Sequence, residues 1–167
     1  MSEIQSSSEA MKETVDETTT KIEKFESTLI ELSDGSNSIV HSSYQMENSI
    51  FIVLAKIDHI LYKARAYNSL ITLKPSLRKL DSHQCNLGQW YDGEGKERFA
   101  NTDSYKKIAT PHAIVHQNAN TNFEFLTGDA ERNTMKHSQK IISNFDKMES
   151  ASEELFALMD KMLDESK

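Results

Sequence analysis

Between positions 4 and 71 apolar residues recur with alternating steps of three and four. One set of positions holds Ile4, Met11, Thr18, Phe25, Leu32, Ile39, Met46, Val53, Ile60 and Tyr67. The other holds Ser8, Val15, Ile22, Leu29, Ser36, Ser43, Ile50, Ile57, Ala64 and Ile71. This is a coiled-coil seam, and it predicts one long helix that no proline interrupts before Pro75. Up to about position 48 the seam is narrow and diluted by Ser and Thr, as in a weak coiled coil. Asp34-Gly35-Ser36 is where a break would fall, because a mid-helix glycine costs about 1 kcal/mol against alanine. From 50 to 55 the helix is apolar on every side, which predicts burial within a bundle. The chain thus divides into a coiled-coil helix over 1–48 and a helical bundle over 49–167.

Pro75 ends the long helix, since it removes a donor and restricts the residue before it. Positions 76–83 read as a turn or a short helical piece. In Cys85-Asn86-Leu87-Gly88-Gln89-Trp90-Tyr91 the pattern predicts a short helix with Leu87, Trp90 and Tyr91 packing inward beside the cysteine. Gly88 would let the backbone come close to a neighbour. The two glycines of 92–101 predict a loop, anchored by Phe99. Thr110-Pro111 reads as a helix start, with threonine capping and proline first. That helix runs through Ala119, Phe123 and Leu126 to Gly128, a C-terminal signal. Asp129 would cap a last helix over 129–166, apolar at Ile141, Ile142, Phe145, Met148, Leu155, Phe156, Leu158, Met159, Met162 and Leu163. It should pack antiparallel to its neighbour and close the bundle, its methionines filling core gaps. The expected fold is all-α: an antiparallel bundle of about four helices and a short cysteine-bearing helix, preceded by the long coiled-coil helix.

Composition narrows the function. Of 167 residues 37% are hydrophobic and 27% charged, with five Gly and two Pro. That balance suits elongated helices with a large solvated surface and opposes a turn-rich β fold. The net charge of −7 and the lack of a basic stripe with interleaved aromatics argue against nucleic acid and against anionic membrane. The longest apolar run, 50–55, is too short to cross a bilayer. The N-terminus has no signal-peptide pattern, and a single cysteine excludes an internal disulfide and fits a reducing compartment. The expected location is cytoplasmic.

Four side chains carry the candidate chemistry: His59, Cys85, His112 and His116. Three imidazoles and a thiolate complete a tetrahedral zinc shell. His112 and His116 stand at i and i+4 on one helix, about 40° apart, so both rings can reach one ion. No glutamate follows His112, which departs from the His-Glu-x-x-His metalloprotease pattern. Taken alone, His59 is also consistent with a histidine satisfied by a backbone carbonyl, and Cys85 with a small buried hydrophobe. His83, two residues before Cys85, is the rival ligand. His41 and His137 fall outside the constellation and should be solvated. An enzyme would need an open coordination position and a nearby acid or base. Four protein ligands leave none, so no catalytic residue is expected; Glu94 and Glu97 would be the candidates had a position been open.

These residues resemble the CZB domain, the chemoreceptor zinc-binding domain of bacterial sensory proteins. In that family a histidine on a first helix precedes a Cys-x-aliphatic-Gly-x-aromatic motif and a His-x-x-x-His pair. Here these are His59, then Cys85-Asn86-Leu87-Gly88-Gln89-Trp90, then His112 and His116. Gly95-Lys96-Glu97-Arg98-Phe99 also looks like family sequence, while Leu61 stands where a tryptophan is often found. The resemblance covers about 50–126. Positions 1–48 look more weakly like the end of a chemoreceptor's cytoplasmic helical hairpin, in a chain that is either a receptor fragment or a small stand-alone relative. The resemblance implies a homodimer with one zinc per protomer held by three histidines and one cysteine, and Leu87, Gly88 and Trp90 packing the site. It implies a regulatory role in chemotaxis, through a kinase and adaptor complex reached by a receptor region this chain lacks, or control of a diguanylate cyclase. The implied inputs are zinc itself or oxidants such as hypochlorous acid acting at Cys85. The alternative is a zinc that only holds a dimerisation module together.

Overall fold

The computed structural model describes residues 2–76 and 78–166. It is all-α, with helices α1 (Ser2–Thr72), α2 (Asn86–Asp92), α3 (Glu94–Phe99), α4 (Asp103–Glu124), α5 (Ala130–Lys136) and α6 (Ser138–Glu165). The chain falls into two compact units, residues 1–46 and 47–167.

In the first unit α1 passes through Gly35 unbroken. Gly35 has no atom within 4 Å of where a Cβ would sit. Thr14, Thr18, Thr19, Thr20 and Thr28 each donate a hydroxyl to the carbonyl four residues back.

In the second unit α1 has two unlike apolar faces. Ile52, Ala55, Tyr62 and Ala66 turn into the core, together with His59. Ile50, Val53, Ile57, Ile60 and Ile71, members of the heptad seam, are exposed. The all-round burial expected of 50–55 is therefore not found in the single chain: Ile52 and Ala55 are buried, whereas Ile50, Val53 and Leu54 are open. One helix face packs inside the bundle and the other is left to solvent. α1 ends at Thr72, three residues before Pro75, and Leu73 takes a positive φ of 56°. Lys56 pairs with Asp160, and Lys63 with Glu149, whose other oxygen accepts from the Tyr67 hydroxyl at 2.9 Å. These contacts tie α1 to α6.

α4 and α6 are antiparallel. Ser104, early in α4, donates its N–H and its hydroxyl to Glu165 near the end of α6, at 2.9 and 3.0 Å. At the other end Asn122 Nδ2 donates to the Ile141 carbonyl at 3.2 Å, and Asn144 Nδ2 to Asn122 Oδ1 at 2.8 Å. Met148, Met159 and Met162 are fully buried on α6, as gap-fillers should be.

Three local expectations give way to tertiary contacts. α4 begins at Asp103, capped by Thr102, whose hydroxyl accepts from Tyr105 N–H at 3.2 Å. Pro111 thus lies inside the helix, at the cost of one intrahelical bond. Burial of Tyr105 and Ile108 and the Ser104–Glu165 bonds hold the preceding turns helical. The stretch 92–101 contains α3 rather than a plain loop: Gly95 lies flat against the Trp90 ring, Phe99 is buried, and Arg98 donates to Asn48 on α1 at 2.7 Å. Asp129 does cap a helix, its carboxylate accepting from Arg132 N–H at 3.1 Å, but that helix is α5. It stops at His137, which stacks on Phe125 at 4.9 Å instead of standing in solvent, and α6 starts anew. By contrast 78–81 takes no helical form, and 82–84 is a turn.

Candidate metal centre

The buried residues form two apolar clusters. One joins Ile52 and Ala55 to Leu87, Trp90, Phe99, Ile108, Leu155 and Met159; the other joins Tyr62 and Ala66 to Val115, Ala119, Phe123 and Met148. Along α1 the changeover falls at His59, and along α4 at His112, between Ile108 and Val115. A layer of polar side chains thus interrupts the core. All three histidines are 4% exposed or less.

α1 supplies His59 from its inward face. His112 and His116 come from the inward face of α4, spaced by one turn, with rings 5.0 Å apart. The His59 ring lies 5.0 Å from that of His112 and 5.7 Å from that of His116, each edge-on. Cys85 is the N-cap of α2. Its sulfur accepts from Gly88 N–H at 3.4 Å and lies 3.2 Å from His112 Nε2. One ligand atom from each of His59, Cys85, His112 and His116 lies within 4.8 Å of all the others.

The cysteine arm is placed by close packing. A Cβ on Gly88 would fall 1.9 Å from the Ser82 carbonyl oxygen and 2.7 Å from His83 Cα. Only glycine lets α2 lie this close to the turn before it. Leu87 and Trp90 are buried on the same short helix, and Trp90 stacks on Phe51 at 4.5 Å. Asn86 Nδ2 donates to Asp58 Oδ2 at 3.0 Å, which pins α2 to α1 one residue from His59.

Backbone carbonyls set the ring orientations. His59 Nδ1–H donates to Ala55 O at 2.9 Å, and His116 Nδ1–H to Leu80 O at 3.0 Å. Each bond leaves Nε2 with its lone pair free. Both Nε2 atoms are buried with no hydrogen-bond partner. Burying an unpaired acceptor costs about 1–3 kcal/mol, so two such atoms beside a thiol need an occupant. A metal ion is the one that uses lone pairs without protons. Tetrahedral zinc would set its ligand atoms about 3.4–3.6 Å apart; Cys85 Sγ and His112 Nε2 stand at 3.2 Å, and all four ligand atoms lie within 4.8 Å of one another. The donor set therefore fits zinc, with Ala55 and Leu80 as the carbonyls that fix the tautomers.

The electrostatics agree. Burial, then the neighbouring imidazoles of His59, His116 and His83, pushes His112 down to about 3. Burial, followed by His59, takes His116 down to about 4. Burial also lowers His59, against the Ala55 hydrogen bond. All three rings are neutral donors at pH 7. Burial raises the Cys85 thiol, against backbone N–H bonds from Gly88 and Leu87, so it keeps its proton until a cation displaces it.

His83 takes no part in the cluster. It is exposed and its Nδ1 bonds Asp92 Oδ2 at 2.7 Å, which raises its pKa. His41, exposed on α1, contacts Gln45 at 3.0 Å. Glu94 and Glu97 are exposed on α3. The features sequence reading missed are the Ala55 and Leu80 carbonyls, the Asp58–Asn86 tie, and Tyr62, whose ring lies 4.7 Å from that of His116. Ala55 was open to inference as residue i−4 of His59, and Tyr62 as i+3. Leu80, 36 residues from its histidine, carried no local signal.

No helix among the described residues is long and apolar enough to cross a membrane. Neither the curated proteins nor the solved structures contain a match to this chain. Residues 59–122, from the first histidine of the cluster to just past the last, match the family model described as the chemoreceptor zinc-binding domain. The matched stretch thus spans His59, Cys85, His112 and His116, the four side chains that the structure gathers into one cluster.

Proposed function

We propose that His59, Cys85, His112 and His116 hold one zinc ion, and that the domain is a sensory or regulatory module whose input acts on the bond to Cys85. The observation that carries this reading is the pair of buried, unpartnered Nε2 atoms of His59 and His116 within ligand reach of the Cys85 sulfur. Bound zinc would supply a positive charge that keeps the thiol ionised. Three of the four donors sit on long helices, α1 and α4, and only Cys85 sits on a short one, held by Gly88 packing and the Asn86–Asp58 bond. Cys85 is therefore the arm that releases most readily. An oxidant such as hypochlorous acid would pass its hydroxyl to the thiolate sulfur and release chloride, giving a sulfenic acid, and the segment around Cys85 would leave its place beside His59. His59 belongs to the same helix as the heptad seam, so the proposed output is a change in coiled-coil pairing read by a chemotaxis kinase complex.

The exposed seam on α1, Ile50, Val53, Ile57 and Ile60, supports a homodimer. It lies opposite the His59 face and continues the heptad register. A cytoplasmic, non-enzymatic role fits four protein ligands and the lack of an apolar span among the described residues. Metal analysis of the purified protein tests the centre. The wild type should carry one zinc per chain, and alanine at any of the four positions should lower that occupancy. Loss of zinc in His83→Ala with retention in His59→Ala would overturn the assignment. For signalling, a folded Cys85→Ser protein that answers oxidant like the wild type would leave zinc a purely structural role.

A further inference from the structure

A cavity of about 270 Å3 opens beside the cluster. His59, His116 and Cys85 line it, with Tyr62 and Arg65 from α1 and Gln84 from the turn before α2. Tyr62 is 8% exposed, and its hydroxyl is buried with no hydrogen-bond partner. The zinc reading accounts for the two orphaned imidazole nitrogens but not for this phenol, and an unpaired buried hydroxyl calls for an occupant.

The lining shows what that occupant offers. Arg65 has five N–H donors and no acceptor. Tyr62 has a hydroxyl proton to give. Gln84 Oε1 already accepts from Asp81 N–H at 3.2 Å, which leaves its NH2 to donate. Asp58, the one carboxylate in the lining, is engaged by Asn86 Nδ2 at 3.0 Å. Asp81, on the neighbouring turn, is not part of the lining. With the Nε2 atoms of His59 and His116 assigned to zinc, the groups of the lining left to meet a solute, the Tyr62 hydroxyl and Arg65, are donors, so the complementary solute is a small acceptor, an oxyanion or a carboxylate. The cavity's volume of about 270 Å3, that of roughly nine waters at about 30 Å3 each, limits the solute to a small molecule.

We propose that this cavity is a small-anion site on the route to the Cys85 sulfur, with Arg65 and Tyr62 selecting what reaches the thiolate. The proposal rests on Cys85 being the reactive arm of the centre, and it gives that arm a filter for charge and size.

Two alkylating agents of nearly equal size test it on the full chain: iodoacetate, an anion, and iodoacetamide, its neutral counterpart. In both the sulfur attacks the CH2 carbon, a C–S bond forms and iodide leaves. The ratio of the iodoacetate rate to the iodoacetamide rate cancels the intrinsic reactivity of the thiolate. Arg65→Gln and Tyr62→Phe should each lower that ratio about threefold or more, the scale of one charge or hydrogen bond near a surface. Arg132→Gln, the same charge change on exposed α5, should leave it at the wild-type value. An unchanged ratio in either cavity variant, or an equal fall in Arg132→Gln, overturns the proposal. Zinc content measured in the same samples keeps the two readings apart: a zinc-loaded Arg65→Gln protein with an unchanged ratio removes the anion site and leaves the metal centre standing.

Discussion

Replacing Gly88 by alanine adds one methyl group where the structure has no room for it. The new Cβ would meet the Ser82 carbonyl oxygen at 1.9 Å, the Ser82 carbonyl carbon at 2.8 Å and His83 Cα at 2.7 Å. An ordinary contact needs about 3.4 Å, so the turn and α2 must separate by roughly 1.5 Å. All three atoms are backbone, and no rotamer change relieves them. Cys85 lies between the turn and the helix, and zinc ligands tolerate only about 0.2 Å of displacement. We expect zinc affinity, measured by competition with a chromophoric chelator, to fall at least about tenfold, and urea unfolding of the metal-free bundle to lose about 3 kcal/mol. Helix propensity alone predicts the opposite sign, a gain of about 1 kcal/mol for alanine over glycine. The sign therefore decides between the two effects. A Gly88→Ala protein with wild-type zinc affinity and equal or greater stability would refute the close approach of α2 to residues 82–83. Gly35→Ala is the matched control: nothing lies within 4 Å of its Cβ, so helicity should hold or rise and zinc affinity should stay unchanged.

Zinc binding at pH 7 should release about one proton, from the raised Cys85 thiol, because the rings of His112 and His116 lose theirs only near 3 and 4. Calorimetry in buffers of different ionisation enthalpy reads this number, and a release of two or more would show charged imidazoles. The same depressed values fix the sign of the acid response. The folded rings bind protons less readily than unfolded ones near 6.5, so metal-free stability is complete above that pH and declines as pH falls toward 4. A urea midpoint at pH 5 equal to that at pH 7 would contradict it. Asn122→Ala should cost about 2 kcal/mol by stranding the buried Asn144 amide, whereas the paired change to leucine at both positions should cost less, since it leaves no unmatched donor. Glutamate at both Ile57 and Ile60, exposed on the seam face, should abolish self-association in sedimentation experiments while helicity and zinc content stay unchanged. Retained self-association would place the dimer contact elsewhere.

Much of this architecture was written in local patterns. The step of three and four along 4–71 gave α1, the Cys85–Tyr91 stretch gave α2 with Leu87 and Trp90 inward, and the four candidate ligands were readable as residue types at usable spacings. These signals are short-range: helical periodicity and the reach of two rings one turn apart need only the neighbouring residues. The errors fell where a distant partner outweighs a local preference. Thr110-Pro111 reads as a helix start, yet Thr102 capping and the Ser104–Glu165 bonds carry α4 through the proline. The glycines of 92–101 read as a loop, yet Gly95 is a seat for the Trp90 ring within a helix. Sequence determined that His59, His112 and His116 stand on helices and that Cys85 opens a short one. Tertiary structure alone decided that they meet in one buried layer between two apolar clusters, because only packing removes water from the imidazoles and brings the carbonyl of Leu80 across to orient His116.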